Sequence, residues 1–126
     1  MKIMVVGKGP ASRSLMRSVR EIGDVEQVWW ISSGEEAVSA YRRLEPDLIF
    51  IDIIQDGMCG IESARAIREQ DKNIKIVLVS ESFRQEFLAM ARETELNGYL
   101  VRTNNPEILR EVIFKVDHGK FRLFIH

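Results

Sequence analysis

The sequence predicts an α/β fold, a doubly wound parallel sheet built from five βα units. Three observations carry that expectation. Leu48-Ile49-Phe50-Ile51-Asp52 is a continuous apolar run that stops on a carboxylate. Glu45-Pro46-Asp47 precedes it and excludes a helix, because proline pushes its neighbour out of the α region. An apolar run of strand length bounded by breakers is buried on both faces, which is the condition of a strand in a parallel sheet. The second observation is alternation: strand-length apolar runs and helix-period stretches follow one another five times. The third is size. The 126 residues suffice for one domain, and no linker, repeat or low-complexity segment divides them. Strands that alternate with helices of this length are joined by right-handed crossovers in a parallel sheet.

The elements follow in order. Ile3 to Val6 is an apolar run and the first strand. Pro10 opens a helix whose Leu15, Met16, Val19 and Ile22 share one face, and Gly23 ends it. Val25 to Ile31 is the second strand, with Trp29 and Trp30 on opposite faces as packing residues. Ser33-Gly34-Glu35-Glu36 has the form of a capping box before a helix carrying Ala37, Val38, Tyr41 and Leu44. The run from Leu48 to Asp52 is the third strand. Gly57 and Gly60 punctuate the next loop, and Ile61, Ala64 and Ile67 line the third helix. Ile74 to Ser80 is the fourth strand and ends on a small polar residue. Phe83, Phe87, Met90 and Ala91 mark the fourth helix. Gly98 precedes a short strand, Tyr99-Leu100-Val101. Asn105-Pro106 is an N-cap followed by proline at the first helical position. It opens a helix with Ile108, Leu109, Val112, Ile113 and Val116 inside. His118-Gly119 stops that helix. Residues 1–119 therefore form the domain, and 120–126 are a tail, either a further strand or the start of a linker.

Composition narrows the function. The formal net charge is −1 and Lys and Arg are dispersed, so no basic run offers a nucleic-acid or membrane footprint. No apolar stretch is long enough to span a bilayer. The N-terminal MKIMVVGKGP is a strand pattern, too short and too broken by glycine for a signal peptide. The single Cys59 has no internal disulfide partner, which fits a cytoplasmic setting. Cys59 reads as small filler in a glycine-bounded loop, with no histidine near it in sequence to activate it. His118 and His126 are far apart, and no Cys/His spacing reads as a zinc site.

In open α/β sheets, ligands and chemistry gather at the carboxyl ends of the strands. Three such ends carry polar residues: Asp52, Ser80 and Arg102. Taken singly, Asp52 caps its own loop, Ser80 caps the following helix and Arg102 is a surface charge. Taken together, the three converge on one edge of the sheet. Gly7-Lys8-Gly9-Pro10-Ala11-Ser12 offers a rival site, since a glycine-rich loop before a helix can cradle phosphate. It lacks both the Walker spacing and the G-x-G-x-x-G pattern, and Pro10 removes a donor.

On these residues the chain resembles the receiver domain of bacterial two-component response regulators, over about Lys2 to Gly119. The resemblance implies a (βα)5 flavodoxin-like sheet of strand order 2-1-3-4-5. It implies that Asp52 is the phosphoacceptor, Ser80 the hydroxyl that senses the phosphoryl group and Tyr99 the aromatic switch residue. Gly60 matches the glycine of the loop after the acceptor, and Ser33-Gly34-Glu35-Glu36-Ala37 the entry to the second helix. The chain departs from the family at its metal site. Gly7-Lys8 stand where the family has an acidic pair, and Gly9 where a glutamate follows. Arg102-Thr103 replace Lys-Pro after the fifth strand, and Gln55-Asp56 replace Met-Pro after the acceptor.

Phosphoryl transfer to a carboxylate brings negative groups together, and Mg²⁺ neutralises the developing charge. Mg²⁺ needs hard oxygen ligands, commonly one or two carboxylates plus waters. The first loop supplies none, and Lys8 places a positive charge where the ion belongs. Lys8 and Arg102 are the expected pairing cations for Asp52, and the planar fork of arginine suits a carboxylate. Asp56 is the one replacement that could compensate. The expectation is therefore a signalling module and not an enzyme, with weak or absent Mg²⁺ binding and no other cofactor. It acts independently of phosphorylation or is weakly phosphorylated. The alternative is a conventional phosphoacceptor on Asp52 that controls an output such as transcription. A small flavodoxin-like ligand binder is the third reading. The expected partner is a histidine kinase or another signalling protein. A homodimer is expected through Phe83 to Leu96, Tyr99 to Val101 and Asn105 to Gly119, or through the apolar tail.

Overall fold

A computed structural model of the chain describes residues 1–54, 59–116 and 120–125. The strands are β1 (Lys2–Val6), β2 (Gln27–Ile31), β3 (Leu48–Asp52), β4 (Lys75–Ser80), β5 (Gly98–Val101) and β6 (Arg122–Phe124). The helices are α1 (Gly9–Arg20), α2 (Gly34–Leu44), α3 (Gly60–Gln70), α4 (Gln85–Glu93) and α5 (Pro106–Lys115). The sheet order is β2-β1-β3-β4-β5-β6, and every neighbouring pair is parallel. The expected order 2-1-3-4-5 holds for the first five strands. His118, Gly119 and His126 lie outside the described residues, as do Gln55, Asp56 and Gly57.

Period-2 alternation along the strands divides the core into two layers. Ile49 and Ile51 of β3 pack with Tyr41 of α2, Ile67 of α3 and Ala91 of α4. Leu48 and Phe50 pack with Leu15 of α1 and Leu109 of α5. Trp29 joins the first layer and Trp30 the second, so the two tryptophans do face opposite ways. Trp30 also donates its indole N–H to Ser12 Oγ at 3.0 Å, under the Arg13 guanidinium 4.5 Å from the ring centroid. The helix starts follow the caps in the sequence. Ser33 Oγ accepts from the Glu36 N–H at 3.2 Å and donates to Glu35 Oε2, and Asn105 Oδ1 accepts from the Glu107 N–H at 2.9 Å.

Two details differ from the sequence reading, and one open alternative is settled. The second strand begins at Gln27, because the Val25 N–H closes a turn onto the Ile22 carbonyl. Phe83 lies before α4 and stacks on Tyr99, with ring centroids 6.0 Å apart. Of the two alternatives for the tail, it takes the strand, forming β6 against β5. Gly98 makes this approach possible: a Cβ there would stand 3.0 Å from the Arg122 carbonyl oxygen and 3.4 Å from the Phe124 ring. Phe124 is buried in the α1/α5 layer, which stabilises the strand by roughly 1.5–3 kcal/mol.

β6 covers the β5 edge within the expected dimer face. β5 is an interior strand with Tyr99 and Leu100 fully buried, so the stretch from Tyr99 to Val101 is not an open edge. α4 beside it is lightly seated, with Ala91 as its buried residue. Few buried contacts place a helix at the low-stability end of a domain.

Candidate functional site

The parallel register aligns the carboxyl ends of the central strands: Val6 pairs with Ile51, Asp52 with Val79 and Ser80 with Val101. Asp52, Ser80 and Arg102 therefore emerge at one end of the sheet, as their positions after apolar runs predicted. The Ile53 N–H donates to the Val79 carbonyl and the Arg102 N–H to the Ser80 carbonyl, which carries the ladder just past the strand ends.

Asp52 is 6% exposed. Its Oδ1 accepts from the Ile54 N–H at 2.9 Å, and its Oδ2 receives Arg102 Nη2 in an ion pair. The Arg102 side chain is itself mostly buried, and its Nε is a buried donor without a partner among the described residues. Lys8, the other expected pairing cation, is exposed at the N-cap of α1. The structure brings Arg102 onto Asp52.

Beside this pair is a hydroxyl relay. Ser80 Oγ lies 2.5 Å from the Tyr99 hydroxyl and donates to the Ser82 carbonyl at 2.7 Å. The Tyr99 hydroxyl also lies 3.3 Å from the Ser82 carbonyl, so either hydroxyl can donate in the Ser80–Tyr99 contact. The Arg84 N–H in turn donates to the Tyr99 oxygen at 3.2 Å. Tyr99 is fully buried, so both hydroxyls tie the loop between β4 and α4 to β5. The residues that complete these networks, Ile54, Ser82 and Arg84, act through backbone groups and leave no signal in residue identity.

Two glycines set the closeness of the site. A Cβ on Gly60 would stand 2.1 Å from the Asp52 carbonyl oxygen, so only glycine lets α3 begin against the strand end. A Cβ on Gly7 would stand 2.9 Å from both Asp52 Cβ and Ser12 Cβ. Real Cβ atoms do not approach that closely, so an aspartate at position 7 would require the strand end or α1 to move.

The described residues fit Mg²⁺ poorly. They contain no cluster of three or more His, Cys, Asp or Glu that could hold a metal. Both Asp52 oxygens are engaged, the first loop has no carboxylate, and Asp56 lies outside the described residues. Mg²⁺ binds through one or two carboxylates at near-ideal octahedral geometry, which this set does not offer. No membrane-spanning helix occurs among the described residues.

A parallel five-unit α/β sheet with a buried aspartate at the end of β3, and a hydroxyl and a cation at the ends of β4 and β5, defines the receiver class of signalling domain. The family profile described as response regulator receiver domain matches residues 3–114, and the chain belongs to that family. It is 28% identical over 122 residues to the nitrate/nitrite response regulator NarL of Escherichia coli, covering 96% of this chain and 56% of that protein. It is 26% identical over 97 residues to the response regulator VraR of Staphylococcus aureus, covering 77% of this chain and 46% of that one. The chain thus spans about half the length of these curated relatives. A LuxR-family two-component response regulator from Aurantimonas sp. superposes with a TM-score of 0.80 at 26% identity, over 89% of this chain and 81% of that one. The chemotaxis protein CheY4 of Vibrio cholerae superposes with a TM-score of 0.81 at 24% identity, over 91% of this chain and 97% of that one, and shows the same fold.

Proposed function

We propose that this receiver domain works in two-component signalling as an interaction module whose state is not set by Mg²⁺-dependent phosphorylation. The carrying observation is the Arg102–Asp52 ion pair. It supplies Asp52 with a built-in counter-charge, where phosphoryl transfer needs a free carboxylate oxygen and a divalent cation. Lys8 at the neighbouring loop adds a second positive charge and no metal ligand. On this reading the domain is a cytoplasmic signalling module and not an enzyme. Its partners are signalling proteins, a histidine kinase among them, met through a constitutive surface.

The Ser80–Tyr99 contact favours the second reading, a conventional phosphoacceptor on Asp52. A serine and a buried tyrosine in hydrogen-bond contact are the parts that the family uses to report the acceptor's state. The relatives NarL and VraR are named response regulators, so control of an output such as transcription by a longer protein is the corresponding proposal at whole-protein level.

Mg²⁺ titration by calorimetry separates the two. The unmodified chain is expected to bind Mg²⁺ weakly, and Lys8→Asp to bind at least about tenfold more tightly, since it adds a carboxylate and removes a cation. Lys8 is the position to change because it is exposed, whereas Gly7 has no room for a side chain. Tight Mg²⁺ binding by the unmodified chain would favour the conventional reading.

A further inference from the structure

β6 is one of the two outer strands of the sheet, and Leu123 and Ile125 are exposed along it. The Arg122 N–H donates to the Asn97 carbonyl of the β5 side. Backbone groups alternate along a strand, so Arg122 and Phe124 direct theirs toward β5 while Leu123 directs its N–H and C=O outward. Leu123 pairs in register with Tyr99 and is 39% exposed, and Ile125 beyond it is 55% exposed. Natural edge strands are blunted by charge, proline or a bulge, because an open apolar edge is a template for another strand. Neither proline nor an inward charge guards Leu123 to Ile125.

We infer that this edge binds a second copy of the same chain, β6 against β6 in antiparallel fashion about a two-fold axis at Leu123. The self-complementarity of the segment selects this occupant. With Leu123 opposite Leu123, Phe121 falls opposite Ile125 and Arg122 opposite Phe124 of the other copy. The outward groups of Leu123 then form a hydrogen-bonded pair with their own copy, and Phe121 and Ile125 extend the short ladder on each side. One face of the junction carries Phe121, Leu123 and Ile125 from both copies as an apolar strip. The opposite face sets Arg122 of each copy in register with Phe124 of the other, so no like charges meet across the junction. A parallel arrangement of two β6 edges about a two-fold would bring Arg122 beside Arg122 and set N–H opposite N–H, which forms no ladder. An isologous contact closes at two copies and uses the β6 edge of both. The contact differs from one through α4 and β5, because β6 stands between β5 and solvent.

The strand is short, so association is expected to be reversible and dependent on concentration. Sedimentation velocity of the full chain across a concentration series should show the mass rise from 14.5 kDa toward twice that value. Leu123→Pro removes the outward N–H but leaves the inward bonds of Arg122 and Phe124, and proline is tolerated on edge strands. It should weaken association by at least about tenfold while the far-ultraviolet circular dichroism is kept. A second variant guards against loss of β6 itself. In a Cys59→Ser background, Leu123→Cys should cross-link to its own copy on mild oxidation. Opposed residues of a hydrogen-bonded antiparallel pair have Cα atoms about 5.5 Å apart, within disulfide reach. Phe114→Cys, at another exposed position, should not. A mass that stays monomeric throughout, or cross-linking at Phe114 as efficient as at Leu123, would overturn the inference. An unchanged dissociation constant for Leu123→Pro would do the same.

Discussion

Arg68→Ala is expected to lower stability by at least about 2 kcal/mol, although Arg68 lies at the opposite end of the sheet from Asp52. Arg68 is 4% exposed and its guanidinium is spent on carbonyl groups. Nε donates to the Glu95 carbonyl at 3.0 Å. Nη1 donates to the Ile74 carbonyl at 2.6 Å and the Asp71 carbonyl at 3.2 Å, and Nη2 to Asn97 Oδ1 at 2.8 Å. Asn97 Oδ1 also accepts the Ile76 N–H, so one side chain joins the approach to β4, the approach to β5 and the end of α3. Burial pushes the guanidinium pKa below its ordinary value, opposed by the charges of Asp71 and then Glu95. A buried acceptor left without a donor costs roughly 1–3 kcal/mol, and truncation strands at least the Ile74 carbonyl. Urea unfolding should show a lower midpoint at unchanged slope. Arg68→Lys should recover little, because one ammonium cannot reach the three directions of the fork. A change within about 0.5 kcal/mol would mean that Arg68 behaves as a surface residue.

The second large effect is expected at the site. Arg102→Met should destabilise the fold by somewhat less than the roughly 3–5 kcal/mol lost when a fully buried pair is broken, because Arg102 keeps partial contact with solvent. The cost comes from Asp52, left charged and buried. Adding Asp52→Asn should therefore restore most of the loss, since replacing both members of such a pair is often neutral. The two changes are in contact, so the cycle reads a coupling and not a sum. Additive losses would show that the pair does not hold the charge of Asp52.

The strand from Leu48 to Asp52 was legible because proline precedes it and nothing polar interrupts it. The convergence of Asp52, Ser80 and Arg102 followed from that, since parallel register carries every strand end to one edge. The structural role of Arg68 is hidden in the sequence, because arginine in the last turn of a helix looks like a solvated charge. The signal was present: Arg68 falls four residues after Ala64 and seven after Ile61, on the apolar stripe of α3. Three residues carry too little alternation to decide between strand and linker at β6, and its partner Gly98 is remote in sequence. Its effect on the expected dimer face was therefore invisible. Gly7 was read for the carboxylate it lacks. Its closeness to Ser12 and Asp52 is a tertiary fact that no local pattern encodes.

The role of the Arg102–Asp52 pair is tested most directly by incubating the unmodified chain with a small-molecule acyl phosphate across a Mg²⁺ series and reading Asp52 by intact-mass and peptide mass spectrometry. The expected result is no phosphoryl group on Asp52 at millimolar Mg²⁺, with phosphorylation appearing only when Lys8→Asp and Arg102→Lys are combined. Stoichiometric, Mg²⁺-dependent phosphorylation of Asp52 in the unmodified chain would contradict the account.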